Sequence, residues 1–251
     1  MSVYNRTKRF WRKIRMKKII HRANTRGYYD YGWLKTNHTF SFNEYYNPDR
    51  MNFGKLRVLN DDFVAPGQGF GTHPHNDMEI VSIPLSGELA HKDSSGTEEV
   101  IMPNDVQVMS AGTGILHSEY NHSKKNETNF LQLWISPDKK GHKPRYDQKS
   151  FNPEERKNKL LNIVSPEKTN GNLWLNQDAY LSMTDLDKNK SVNYKFHTDG
   201  NGVYLFVIDG VISVADENLS KRDGIGLSET EELILIAEEA SRILLIEVPM
   251  K

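Results

Sequence analysis

Short runs of apolar residues organise the chain from Thr39 onward, and no helical period runs through them. The clearest runs are 56–59, 79–83, 106–109 and 130–135, each rich in β-branched or aromatic residues and bounded by Gly, Pro, Asn or Asp. Turn sequences separate them at 65–67, 94–96, 103–105 and 110–112. Many short strands with such turns are typical of sandwiches and barrels, including jelly rolls. The pattern therefore predicts an all-β fold.

A second series of strands follows a polar, proline-containing break at 136–144. Between the two series, Asn152 supplies an N-cap, Pro153 a first-turn proline, and two glutamates follow, so we expect a short helix. Later, Asp209-Gly210 between two apolar runs predicts a two-residue β-hairpin. We therefore expect two jelly-roll β-barrels, 17–150 and 151–251, packed together with short helical connections.

Composition limits the classes of function. The 251 residues carry 33 Lys or Arg and 33 Asp or Glu, so net charge gives no argument for nucleic acid or anionic lipid. The absence of cysteine excludes disulfides and thiolate metal sites. No apolar run is long enough to cross a bilayer. We expect a cytoplasmic monomer that neither spans a membrane nor binds nucleic acid directly.

Residues 1–16 form a separate basic leader. The first 22 residues contain nine Lys or Arg and no Asp or Glu. Such a segment is either disordered or a weak amphipathic element that touches a membrane or nucleic acid. We favour a third interpretation, in which translation begins at Met16 and the leader is not native.

Two motifs carry the candidate chemistry. His73 and His75 are two residues apart, as are His117 and Glu119. Side chains at positions i and i+2 of a β-strand share one face, so two such strands in one barrel give a cluster of three histidines and one carboxylate. That set suits a divalent transition metal and leaves room for water, oxygen or substrate.

Other residues near these motifs have weaker assignments. Glu79 has the parity of His75, which favours a role in orienting a ligand imidazole. Asn121 has the parity of His117 and either does the same or caps a turn. We expect His91 to be a partly exposed turn histidine bonded to Asp93.

The amino-acid sequence around the two motifs resembles that of the pirin family of cupins. The resemblance is dense from about residue 22 to 146 and thin in the second half. It rests on the following segments: His38-Thr-Phe-Ser-Phe42, Phe53-Gly-Lys-Leu-Arg-Val-Leu-Asn-Asp-Asp62, His91-Lys-Asp-Ser-Ser-Gly96 and Met109-Ser-Ala-Gly-Thr-Gly114. It implies a bicupin, with one metal in the N-terminal cupin and a degenerate, metal-free C-terminal cupin. One departure is Asn104, where relatives usually have Gly; we expect it to affect loop geometry rather than ligation, since Asn readily adopts left-handed backbone angles.

The resemblance also implies a site and an activity. The ligands would be His73, His75, His117 and Glu119, holding one divalent metal, with Fe(II) the usual ion and Mn, Ni, Cu or Zn also accepted. Bacterial members of the family act on quercetin, opening the flavonol ring with O2, and Glu119 would be the catalytic proton acceptor. The alternative function is a metal-binding, redox-responsive regulator that acts through a protein partner, as in transcription.

Three apolar residues close to the motifs are candidates for a substrate pocket. Phe70, Met78 and Met109 would suit a flat aromatic substrate such as a flavonol. They suit ordinary barrel core equally well.

Overall fold

The computed structural model describes residues 16–168 and 171–251. Within these ranges the chain consists of β-strands and two 3-10 helices, Ala23–Thr25 and Pro153–Glu155. This confirms the all-β prediction. The basic leader lies outside the described residues except for Met16. Among the described residues, no helix has the length and apolarity that a membrane crossing requires.

The strands divide between two halves of the chain. Those of the first half are β1 (Lys17–His21), β2 (Gly27–Asp30), β3 (Leu34–His38), β4 (Leu56–Val64), β5 (Gly69–His75), β6 (Glu79–Ser86), β7 (Leu89–Asp93), β8 (Glu98–Ile101), β9 (Asp105–Ser110), β10 (Ile115–Asn121), β11 (Thr128–Ile135) and β12 (Arg145–Ser150). Those of the second half are β13 (Leu161–Ser165), β14 (Leu173–Trp174), β15 (Tyr180–Leu186), β16 (Ser191–Lys195), β17 (Asn201–Asp209), β18 (Val211–Val214), β19 (Glu217–Ser220), β20 (Gly224–Ser228), β21 (Glu232–Ala237) and β22 (Ser241–Pro249).

Each half is built from a seven-stranded and a four-stranded sheet. The orders in the first half are β12-β9-β6-β11-β4-β3-β2 and β5-β10-β7-β8. Those in the second half are β1-β20-β17-β22-β15-β13-β14 and β16-β21-β18-β19. Strand β1 thus departs from the division expected at residue 150, because it pairs antiparallel with β20 in the sheet of the second half. The start of the described chain ties the two halves together.

The two seven-stranded sheets share one hydrophobic core. Leu59 and Leu131 of the first half belong to the same buried cluster as Phe206 and Leu244 of the second. Alternation along β4 therefore turns Leu59 toward the second half and Asn60 toward the interior of its own half. The first sheet is apolar on one face, and its other face is free to carry chemistry.

Local predictions at three turns have different outcomes. The short helix is confirmed, and the Asn152 side chain accepts a hydrogen bond of 3.1 Å from the Glu154 amide. Asn104 has a φ of 75°, a left-handed conformation that Asn tolerates better than most residues. The predicted hairpin at Asp209-Gly210 is absent, so that prediction is wrong. Strand β17 pairs with β20 and β22, whereas β18 pairs with β19 and β21. The turn is a corner at which the chain changes sheet.

Candidate metal centre

Three histidines converge on neighbouring strands. Strands β5 and β10 pair antiparallel, with His117 directly opposite His73 and Ile115 opposite His75. The ring centroids of His73 and His117 are 4.4 Å apart, and those of His75 and His117 are 4.8 Å apart. One nitrogen from each of the three rings lies within 4.8 Å of the others. Strand parity therefore placed these three side chains correctly.

The donor set fits a divalent metal. His117 is 1% exposed, and neither of its ring nitrogens has a hydrogen-bond partner among the described residues. Burial, aided by His73, lowers the pKa of His117 to about 3. Burial and His117 lower the pKa of His75 to about 4. Both rings are therefore neutral at pH 7, which is the form that binds metal.

The tautomer of His73 is set by the backbone. Its Nδ1 atom donates a hydrogen bond of 2.8 Å to the carbonyl oxygen of Gly71. The proton is therefore on Nδ1, and Nε2 keeps its lone pair. Metal-binding histidines commonly have this outer hydrogen bond, which fixes the orientation of the ring.

Glu119 lies beside the three histidines but in a second group. A carboxylate oxygen of Glu119 lies within 4.8 Å of nitrogens of His91 and His117, and these three residues form a group of their own. The register between β10 and β5 shifts between His117 and Glu119, so Glu119 is opposite Phe70. His117 belongs to both groups, and the four predicted ligands are therefore brought together in two overlapping sets.

Two donors hold the Glu119 carboxylate. Ser82 Oγ donates to Oε1 at 3.1 Å, and Gln132 Nε2 donates to Oε2 at 2.7 Å. Both donors belong to the seven-stranded sheet, whereas Glu119 belongs to the four-stranded sheet. Neither donor has a recognisable signal in the sequence, because the contact crosses between sheets.

His91 is nearer the site than expected. Its predicted hydrogen bond to Asp93 is present, at 3.0 Å between Nε2 and Oδ2. The predicted exposure is wrong, since the residue is 1% exposed on β7 and is opposite Glu119. Its Nδ1 atom has no partner in the described part of the chain. The parity it shares with Leu89 on a strand was the available signal for an inward side chain.

Glu79 and Asn121 make their contacts elsewhere. Glu79 begins β6, which lies in the other sheet from β5, so the assumption of one uninterrupted strand was wrong. Its carboxylate accepts hydrogen bonds from Ser110 at 2.7 Å and Asn176 at 3.0 Å. Asn121 donates to the carbonyl oxygens of Val64 and Asn126 and accepts from the Ser123 amide. It caps the turn after β10, which was the alternative interpretation.

A cavity of about 460 Å³ opens beside the cluster. His73, His75 and Glu119 contribute to its lining. The other lining residues are Tyr31, Leu34, Thr36, His38, Phe42, Asn43, Asn60, Asp62, Phe70, Gln132 and Trp134.

Of the three pocket residues expected from the sequence, only Phe70 lines this cavity. Met109 is instead fully buried in a core cluster with Ile80 and Ile115, and Met78 packs against that cluster. The barrel-core interpretation is therefore the one that the structure supports for both methionines.

Comparison with known proteins places the chain in a family. Residues 19–135 match the pirin family, and residues 162–248 match the quercetinase C-terminal cupin domain. The quercetin 2,3-dioxygenase of Escherichia coli K12 is 39% identical over 230 residues, which are 92% of this chain and 98% of that protein. This chain belongs to the pirin family. A pirin-like protein of Caulobacter vibrioides is 37% identical over 87% of this chain and 94% of its own length.

Solved structures of other proteins share the fold. The bacterial pirin YhhW of Escherichia coli, in complex with nickel(II), is 37% identical and superimposes with a TM-score of 0.88 over 93% of this chain and 99% of that one. A quercetin 2,3-dioxygenase of Acinetobacter baumannii, 24% identical, shares the fold with a TM-score of 0.75 over 92% of this chain and 85% of that one. The bicupin architecture expected from the resemblance is confirmed.

Proposed function

We propose that this pirin is a metal-dependent dioxygenase that opens the ring of quercetin or a related flavonol with O2. The observation that carries the proposal is the convergence of three histidines, two of them neutral at pH 7, on an aromatic-lined cavity. Relatives with the name quercetin 2,3-dioxygenase, at 39% to 42% identity over most of the chain, support the same reaction.

The proposed ligands are His73, His75, His117 and Glu119, all in the first half of the chain. A bound divalent metal would act as a Lewis acid that lowers the pKa of the flavonol 3-hydroxyl and orients it. Three neutral imidazoles and one carboxylate leave the site about one unit positive, which favours an anionic flavonolate. Iron(II) is our first expectation, and the nickel complex of YhhW makes nickel the next ion to test.

Glu119 is the proposed proton acceptor. Ser82 and Gln132 hold its two oxygens, and the residue contributes to the cavity wall. One of its oxygens lies within 4.8 Å of a nitrogen of His117, which places the carboxylate beside any hydroxyl that the cluster would bind.

Aromatic side chains shape the cavity for a flat ring. Trp134 packs edge-on against His75, with ring centroids 4.8 Å apart, and against Phe42, at 5.2 Å. Phe70 packs against Trp33 at 5.3 Å. Because these rings are packed against one another, the shape of the cavity is formed before a substrate binds.

Oxygen uptake with quercetin tests the proposal. The protein is loaded separately with iron, manganese, nickel and copper, its metal content is measured, and His117→Ala is assayed beside it. His122→Ala is the matched control, because His122 is exposed and lies outside the cavity. Metal-dependent uptake that survives in the control and disappears in His117→Ala supports the dioxygenase. No uptake by fully loaded protein would refute it and favour the redox-responsive regulator.

A further inference from the structure

A row of polar side chains crosses the sheet behind the metal cluster. His38 is opposite Asn60, Asn60 opposite Gln132, Gln132 opposite Ser82, and Ser82 opposite Gln107. Residues directly opposite on neighbouring strands project from the same face. These five side chains, the polar row, therefore form a continuous line across β3, β4, β11, β6 and β9. The line lies on the inner face of the first half.

Only the middle of the polar row is used by Glu119. Ser82 and Gln132 donate to that carboxylate, as described above. Asn60 is 3% exposed, and its Oδ1 atom has no hydrogen-bond partner among residues 16–168 and 171–251. Gln107 is fully buried, and neither of its amide atoms has a partner in the same ranges. A buried amide without a partner destabilises the fold, so each needs an explanation.

The Asn60 and Gln107 amides differ in their access to the cavity. Asn60 lines the cavity beside the metal cluster, whereas Gln107 does not. An unpartnered amide that faces a cavity next to a reactive centre is placed to bind a polar group of whatever enters. Gln107 has the same chemistry without that access, which makes it a reference for the effect of burial alone.

Asp62 extends the polar surface next to Asn60. It is two residues further along β4, on the same face, and also lines the cavity. Thr36 Oγ1 donates to one of its oxygens, and no Lys or Arg pairs with it among the described residues. Burial raises the pKa of Asp62 to about 7. An acid in this setting gains from a hydrogen bond with a neutral partner, because a charge is costly there.

We propose that Asn60 and Asp62 form a hydroxyl-binding wall, which selects flavonols with hydroxyl groups beyond the 3-hydroxyl. The inference rests on the proposed function, since it assumes that the 3-hydroxyl is held at the metal cluster. In this arrangement Phe42, Phe70 and Trp134, which line the cavity, contact the flavonol rings. The hydroxyl groups far from the metal cluster then hydrogen bond with the hydroxyl-binding wall. The substrate class is polyphenolic flavonols, in preference to the parent 3-hydroxyflavone.

Binding without turnover tests the wall. Nickel-loaded protein is titrated with quercetin and with 3-hydroxyflavone in the absence of dioxygen, and the flavonol absorbance gives both Kd values. Wild type is expected to bind quercetin more tightly. Asn60→Leu, which keeps the branched shape of the side chain and removes the amide, is expected to weaken quercetin binding about 3- to 10-fold, the range of one neutral hydrogen bond. The Kd of Asn60→Leu for 3-hydroxyflavone should equal that of wild type. Gln107→Leu should change neither the Kd for quercetin nor that for 3-hydroxyflavone.

The outcomes distinguish failure of the hydroxyl-binding wall from failure of the proposed function. If wild type binds neither flavonol, the proposed function fails, and the hydroxyl-binding wall fails with it. If both bind but Asn60→Leu leaves the ratio of the two Kd values as it was, the wall is refuted and the dioxygenase stands. Thermal unfolding verifies that each variant is folded. Asn60→Ala gives the same ratio test should Asn60→Leu fail to fold.

Discussion

Gln132 Nε2 donates a hydrogen bond of 2.7 Å to Oε2 of Glu119. The donor is on β11 of the seven-stranded sheet, and the acceptor is on β10 of the four-stranded sheet that also carries the three histidines. The bond therefore bridges the two sheets of the first half. It makes the orientation of a proposed ligand depend on a strand that contributes none of the ligands.

Gln132→Leu should weaken metal binding. The substitution removes one of two donors to the Glu119 carboxylate, and loss of an outer hydrogen bond to a ligand costs about 10- to 100-fold in metal affinity. Competition with a chelator measures the nickel affinity. Gln107→Leu is the matched control, because Gln107 lies in the same sheet without a hydrogen bond to Glu119. Equal affinities in the two variants would contradict a ligand role for Glu119.

Alanine variants of His73 and His91 distinguish the two overlapping groups. If the metal is held by His73, His75 and His117, His73→Ala removes a ligand and should cost more than about 100-fold in nickel affinity, beyond the usual effect of an outer residue. His91→Ala should cost less than that, because His91 then acts only from outside the ligand set. The chelator competition applies here as well. The reverse ranking would move the metal to the group of His91, His117 and Glu119.

The spacing of histidines along single strands made part of the site predictable. His73 and His75 are two residues apart, and their neighbour His117 follows a turn whose glycines are visible in the sequence. Strand parity then fixes the face, and one pairing of strands completes the cluster. The all-β fold was predictable for the same reason, since period-two alternation and turn residues are local signals.

Contacts that depend on which strands pair were not predictable. Gln132 and Ser82 reach Glu119 only because two sheets face each other, and nothing in the local sequence states that arrangement. Glu79 was misplaced because the turn before β6 moves the chain to the other sheet. Strand β1 pairs with β20, which follows more than 200 residues later in the chain, with Lys17 opposite Ser228. Register between distant strands is a property of the assembled core.

Acid should destabilise the metal-free protein. Burial, with a contribution from Arg50, lowers the pKa of His21 to about 4, and burial with Arg26 lowers that of His38 to about 4. Between pH 6.5 and 4 the unfolded chain therefore binds more protons than the folded chain, so the free energy of unfolding falls as pH falls through that window. Each such histidine contributes a slope of up to about 1.4 kcal/mol per pH unit.

Urea unfolding of metal-free protein at pH 7.5 and pH 5 measures this trend. In the wild type, His21 Nδ1 lies 2.8 Å from the Tyr204 hydroxyl oxygen. His21→Gln keeps a side chain that can form this hydrogen bond, but the Gln side chain cannot be protonated. Its unfolding should depend less on pH than that of wild type. His122→Gln, at an exposed position, should leave the dependence as it is. Stability that is constant or rises toward pH 5 would contradict the assignment of neutral buried histidines.

The turn before His117 requires Gly112. Its φ is +48°, and an added Cβ would lie 2.0 Å from the carbonyl oxygen of His142. Gly96 also has a positive φ, +95°, but a Cβ there meets no atom within 4 Å. Gly96→Ala should therefore cost only the left-handed strain of about 1–2 kcal/mol. Gly112→Ala adds displacement of a backbone carbonyl and should cost clearly more.

Thermal unfolding compares the two variants. For a chain of this size about 1 kcal/mol corresponds to a shift in Tm of about 2–4 °C, so Gly96→Ala should lower Tm by a few degrees and Gly112→Ala by at least twice as much. Nickel affinity should fall in Gly112→Ala alone, because this turn leads into β10, which carries His117. Equal Tm shifts with unchanged nickel affinity would mean that the segment at His142 gives way without moving the strand, and that Gly112 contributes only its backbone angle.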